Sequence, residues 1–202
     1  MREIEWAFSG IVLRSSGSGT WVHWVDSRSE SPVSDSGTFE TLPNGDVLER
    51  GVMRNNEGVL LPYEEIWRDR KVSNTIVVVL VGQTENAVDI LRNENNVLGQ
   101  NGDTIPPGCV GMIIRVGEWC QGVLRRHDGF FAERWHNLSN PEGGGWKLEF
   151  ATHRGVLPCD RVCDLLDKAS KGACSEQINH VGDNFTVDGI TWTVVEYLDD
   201  GH

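Results

Sequence analysis

Glu5-Trp6-Ala7-Phe8-Ser9-Gly10-Ile11-Val12-Leu13-Arg14 is echoed by Glu118-Trp119-Cys120-Gln121-Gly122-Val123-Leu124-Arg125. Each half later shows a Gly-Val-Leu run followed by proline, Gly58 to Pro62 and Gly155 to Pro158. Recurrence of this kind predicts one β-rich unit used twice, as two small barrels or sandwiches side by side. Strand signals dominate the rest of the chain: short runs of β-branched and aromatic residues bounded by Gly, Asn, Asp and Ser.

In the first half, Trp6 to Arg14 and Thr20 to Asp26 flank a Ser/Gly turn and form a natural hairpin. The Ser-rich segment Ser27 to Ser36 reads as a loop. Gly37 to Leu42 and Val47 to Met53 flank Pro43-Asn44-Gly45-Asp46, whose Asn-Gly pair is the sharpest hairpin signal in the chain. Tyr63 to Asp69 has acids early, a base late and Pro62 before it, which predicts a short helix. Thr75 to Val81 predicts a strand buried on both faces. The polar, Asn-rich stretch 84–108 reads as a linker, so the units are expected at residues 1–83 and 109–202.

The second half repeats the plan with strands Val110 to Val116, Trp119 to Arg126, Phe130 to Leu138 and Trp146 to Thr152. A helix over Asp160 to Lys168 follows Pro158. A hairpin around Asp188-Gly189 closes the chain. The expected fold is therefore all-β with two short helices.

Charge narrows the partners. The 202 residues carry 18 Lys plus Arg against 30 Asp plus Glu, a formal net charge of −12, so polyanions are repelled. Neither nucleic acid nor an acidic membrane surface is expected to bind. Acids stand near the N-terminus where a signal peptide carries an apolar run, and no uncharged stretch is long enough to span a bilayer. A cytoplasmic protein with free thiols is expected from this and from the odd count of five cysteines.

Cys159 and Cys163 stand one helical turn apart, but a second ligand pair is missing, so they predict helix packing rather than a metal site. No nucleophile elbow, phosphate-cradling glycine loop or metalloprotease helix motif is present. What stands out is eight tryptophans, several beside polar groups: Trp21, His23 and Trp24; Glu118, Trp119 and Gln121; Arg134, Trp135 and His136. Aromatic walls with a few polar groups make an apolar ligand pocket, and the same residues can equally fill a small core.

Together these landmarks resemble the fungal Hri family: Glu5 to Gly10, Trp21 with Trp24 and Asp26, Asp35-Ser36-Gly37, Tyr63 to Trp67, Gly117 to Gly122, and Gly189 to Trp192 with Val195-Glu196-Tyr197. The resemblance implies two lipocalin-like antiparallel β-barrels related by internal duplication. The chain is similar to compact relatives that act as hetero-Diels–Alderases, joining a tropolone quinone methide to a humulene-type sesquiterpene. That activity implies apolar small-molecule substrates and no cofactor, with homodimerisation left open. On this reading Glu118, His23 or His136 assists loss of water from a hydroxymethyl precursor, Arg134 or Gln121 polarises the heterodiene, and Trp24, Trp119 and Trp135 pack the sesquiterpene. The competing expectation is a non-catalytic protein-interaction module, like the casein-kinase-associated yeast member, or a small-molecule carrier.

Overall fold

A computed structural model of the chain describes residues 4–31, 33–55, 58–69, 76–84, 108–138, 145–169 and 178–199. They form twelve strands and one helix. The strands make two antiparallel sheets, one of five and one of seven, and neither closes into a barrel among the described residues. The chain separates into two compact units, residues 8–71 and residues 1–7 with 72–202.

The smaller unit is a meander of β1 (Phe8–Ser15), β2 (Ser18–Asp26), β3 (Val33–Thr41), β4 (Val47–Arg54) and β5 (Leu60–Trp67), paired in that order. The Asn-Gly hairpin forms as expected: Gly45 adopts φ 88°, and the Leu42 and Asp46 backbones close the turn at 2.8 Å. The serine-rich loop is shorter than its composition suggests, because β3 begins at Val33 and its backbone is claimed by β2.

The expected helix at Tyr63 to Asp69 is instead β5, continuous to Trp67 and paired residue for residue with β4. Its charge pattern has a cross-strand cause. Glu64 accepts from Arg50 at 2.8 Å and Arg68 clamps Asp46 at 2.7 Å, so acids and bases ordered along the chain are satisfied by neighbouring strands rather than by a helix dipole.

The larger unit runs β6 (Ile76–Thr84), β7 (Cys109–Val116), β8 (Trp119–Arg126), β9 (Gly129–Asn137), β10 (Trp146–Ala151), helix α1 (Cys159–Ala169), β11 (Asn184–Val187) and β12 (Ile190–Asp199). The sheet order is β10-β9-β8-β7-β6-β12-β11, so the last hairpin returns to pair with β6. Its turn uses Asp188 and Gly189 at φ 51° and 73°, the left-handed pair that a two-residue hairpin requires. β6 is central, as its valine and isoleucine run predicts. It nevertheless belongs to this sheet, and the stretch read as a linker falls largely outside the described residues.

The two sheets differ in strand number, in order and in the presence of a helix. The echoed segments also hold different places: β1 is an edge of the small sheet, whereas β8 lies inside the large one.

Pro158 precedes α1 and its carbonyl accepts from the Val162 amide at 3.0 Å, closing the first turn. Cys159, Val162, Cys163 and Leu166 face the sheet and are buried with Leu80, Ile113, Leu124 and Trp192. Gly122 lets the helix approach: a Cβ there would lie 2.9 Å from the Cys159 sulfur. Cys120, Cys159 and Cys163 pack within this core. Burial pushes Cys163 well above the ordinary thiol range and Cys109 up to about 12, and no metal-holding cluster occurs among the described residues.

Candidate functional site

The small sheet buries charge where a core would bury hydrocarbon. Its buried apolar side chains among the described residues are Val25 and Leu48, whereas His23, Asp26, Asp46 and Glu49 are buried polar groups. Burying ions without partners costs several kcal/mol, roughly. Each of these four is accordingly engaged.

A β-bulge makes the first cluster. His23 pairs with Gly10 and Val25 with Ser9, so Trp24 is an extra residue on β2. In a regular strand His23 and Asp26, three apart, point to opposite faces. The inserted residue reverses that, and His23 Nδ1 lies 2.6 Å from Asp26 Oδ2. Gly10 is obligatory opposite the bulge, since a Cβ would lie 1.8 Å from the Val22 carbonyl oxygen. Phe8 stacks on the imidazole at 3.7 Å, and Asp35 Oδ2 sits 3.3 Å from Nε2.

Burial opposes charging His23, but hydrogen bonds and charges from Asp35 and Asp26 outweigh it, and its pKa is raised. The imidazolium is thus held between two carboxylates. Stability from this cluster is complete below the ordinary value of 6.5 and is lost as pH rises through the higher folded value. Urea midpoints measured from pH 6 upward are expected to fall in wild type more steeply than in His23→Gln. Parallel curves would show that His23 carries no such linkage.

The second cluster lies on the same face of β3, β4 and β5. Glu49, 2% exposed, accepts from the Tyr63 hydroxyl through Oε1 and from Trp67 Nε1 through Oε2 at 2.7 Å. Two glycines clear its space: a Cβ on Gly37 would meet Oε1 at 2.8 Å, and one on Gly51 would meet the Tyr63 ring at 2.5 Å. Burial, followed by the bond to Glu49, raises the Tyr63 pKa, so the phenol stays a donor. Glu65 stands directly opposite Glu49, exposed, with its pKa raised by burial and then by the charges of Glu49 and Asp35. Trp21 and Phe39, in edge contact at 5.6 Å, continue the face with apolar surface.

Of the eight residues given a catalytic or substrate-binding role from the sequence, His23 lies in this site, while Trp24 occupies the bulge beside it. The other six belong to the seven-stranded unit. Trp119 stacks on His136 at 3.8 Å, and His136 Nδ1 is 3.5 Å from Glu149. Beside them, Arg134 donates to Gln121 at 2.9 Å, both exposed on the same strand faces. Trp135 points the other way, to the helix side, where its indole donates to the buried Glu133 at 3.0 Å. Glu118 sits in the β7–β8 turn, its carbonyl accepting from the Asn137 amide.

Glu49, Tyr63, Glu65 and Trp67 were not anticipated as site residues. The spacing 63, 65, 67 put them on one strand face, but the helical reading of that segment concealed it.

Two open antiparallel sheets, one backed by a helix and the other lined with paired carboxylates and aromatic rings, define a β-rich protein with a polar-aromatic face. The model of the family described as Protein HRI1 matches residues 1–196, and the chain belongs to that family. No curated protein and no solved structure matches the chain. Among the described residues, no helix is long and apolar enough to cross a membrane.

Proposed function

We propose that the chain is a cofactor-independent hetero-Diels–Alderase, joining a tropolone quinone methide to a humulene-type sesquiterpene on the polar-aromatic face of the small sheet. The observation that carries this reading is the replacement of an apolar core by His23, Asp26 and Glu49 beneath Trp21, Phe39, Tyr63 and Trp67. The likeness to compact Hri-type cyclases supports the choice of substrates.

A cycloaddition needs no nucleophile. Four π electrons of the heterodiene and two of the alkene become two σ bonds and one new π bond with no net proton transfer, so the protein contributes by holding both partners in a reactive pose. Orientation of that kind is worth up to about 7–11 kcal/mol of barrier. The aromatic rim offers surface to the terpene, and the fixed donors Tyr63 and Trp67 keep the face rigid. The assignments of His136 as an acid and of Trp119, Gln121 and Arg134 as substrate contacts remain a second proposed locus on one face of β8 and β9, with Glu118 in the adjoining turn as its other acid. Trp135 is directed to the opposite, helix-facing side and would have to act apart from them.

A non-catalytic interaction module is the other reading, favoured by exposed Val52 and Ile66 on the opposite side of β4 and β5. Incubating purified protein with a hydroxymethyl-tropolone precursor and humulene, read by chiral chromatography, separates the two. Excess of one enantiomer above the spontaneous rate is expected. Racemic adduct at the spontaneous rate refutes the enzyme, and saturable tryptophan quenching without turnover identifies a carrier.

A further inference from the structure

We infer that Glu65 is the proton donor that expels water from the hydroxymethyl precursor, an assignment that rests on the cyclase reading and names the acid of that same face. Several carboxylates occupy the face, and the geometry distributes their roles. Asp26 and Asp35 are committed to His23. Glu49 is 2% exposed, with one oxygen held by Tyr63 and the other by Trp67, so a substrate meets neither oxygen. Glu65 is different. It is exposed, it has no side-chain partner among the described residues, and on β5 it stands between Tyr63 and Trp67 with its register partner Glu49 across the ladder.

A ligand lying against the two rings therefore meets this carboxyl first. The titratable and charged groups sharing the face are Arg14, which lies over the Phe39 ring, His23, Asp26, Asp35, Glu49 and Tyr63. Partial burial and the charges of Glu49 and Asp35 favour the protonated form of Glu65, and the tyrosine stays neutral. Two carboxyls with separated tasks result: Glu49 a saturated structural acceptor, Glu65 an acid able to exchange its proton.

The step balances without a redox partner. The Glu65 proton passes to the hydroxymethyl oxygen as the C–O bond breaks, and the bonding pair leaves with water. The ring hydroxyl releases its proton, its O–H pair becomes the carbonyl π bond, and the ring electrons shift to form the exocyclic C=C. That proton returns to the Glu65 carboxylate, and the heterodiene then adds to the alkene.

Glu65→Gln keeps size and removes the proton. With the hydroxymethyl precursor and humulene, its rate is expected to fall at least about 100-fold, within the range usual for loss of a general acid. Wild type on this precursor is expected to slow as pH rises and Glu65 ionises. With a precursor that expels acetate without acid assistance, Glu65→Gln should match wild type in both rate and enantiomeric excess. Glu64→Gln, altered on the opposite strand face, serves as the neighbouring control and should behave as wild type on both.

Full activity of Glu65→Gln on the hydroxymethyl precursor overturns the assignment and leaves the cyclase reading standing. Equal loss on both precursors also overturns it, because Glu65 would then serve binding rather than proton transfer. A wild type inactive on both precursors refutes the cyclase reading and this assignment with it.

Discussion

Replacing Arg115 by alanine is expected to destabilise the larger unit by about 3–5 kcal/mol, the range for breaking a buried ion pair by removing one partner. Arg115 is almost fully buried on the helix-facing side of β7. Its guanidinium donates to the Gly117 carbonyl at 3.1 Å and to the Cys163 carbonyl at 3.3 Å, and pairs with Asp167 at 2.8 Å. Its Cζ also lies 4.7 Å from the centre of the Trp146 ring, whose indole donates to the other Asp167 oxygen at 2.9 Å.

One cation thus ties α1 to β7 and β10. Alanine removes the guanidinium from two carbonyls and from one oxygen of Asp167, whose other oxygen keeps the Trp146 indole. Asp167 is partly exposed and recovers some hydration, which places the expectation toward the lower end of the range. Urea unfolding followed by far-UV circular dichroism measures it. A loss below about 1 kcal/mol would mean that water replaces the guanidinium at little cost.

Trp192→Ala is expected to cost about 3–5 kcal/mol, the usual figure for removing a large aromatic from a core. Trp192 is 1% exposed and lies on β12, where it crosses two glycines on neighbouring strands. A Cβ at Gly111 would approach its ring to 2.8 Å and one at Gly82 to 3.0 Å, so the bare backbone of β6 and β7 forms its seat. The complementary change, Gly111→Ala, should destabilise by overpacking, about 1–3 kcal/mol, and its effect should shrink in a Trp192→Ala background. Additive costs in the double variant would show that ring and glycine do not oppose each other.

Local patterns in the sequence sufficed wherever one strand or turn carried its own signal. The Asn44-Gly45 and Asp188-Gly189 hairpins, the helix after Pro158 and the central β6 all follow from turn chemistry and runs of branched residues. Failures came where the deciding partner lies far along the chain. Arg50 sits 14 residues from Glu64, and Asp46 sits 22 from Arg68, so β5 imitated a helix until its cross-strand partners were known.

Barrel closure depends on whether edge strands meet, which no local pattern encodes. The same limit hid most of the site. His23 attracted notice as a histidine among tryptophans, but its union with Asp26 depends on a one-residue bulge. Glu49 lies in no motif, and although Tyr63 opens a family landmark the two become a pair only through register. The tryptophans illustrate the ambiguity most directly: Trp192 fills a core, Trp67 anchors a carboxylate, and nothing in their immediate neighbours distinguishes them.

The pairing of β12 with β6 has a consequence for synthesis of the chain. The five-strand meander can assemble from neighbours as they emerge, through short loops. β6, made before residue 85, must wait for residues 190–199 before its second edge is hydrogen-bonded. Until residues 190–199 leave the ribosome, a valine-rich strand stands ready to recruit a foreign one, and that interval is where chaperone dependence and aggregation of nascent chains should concentrate.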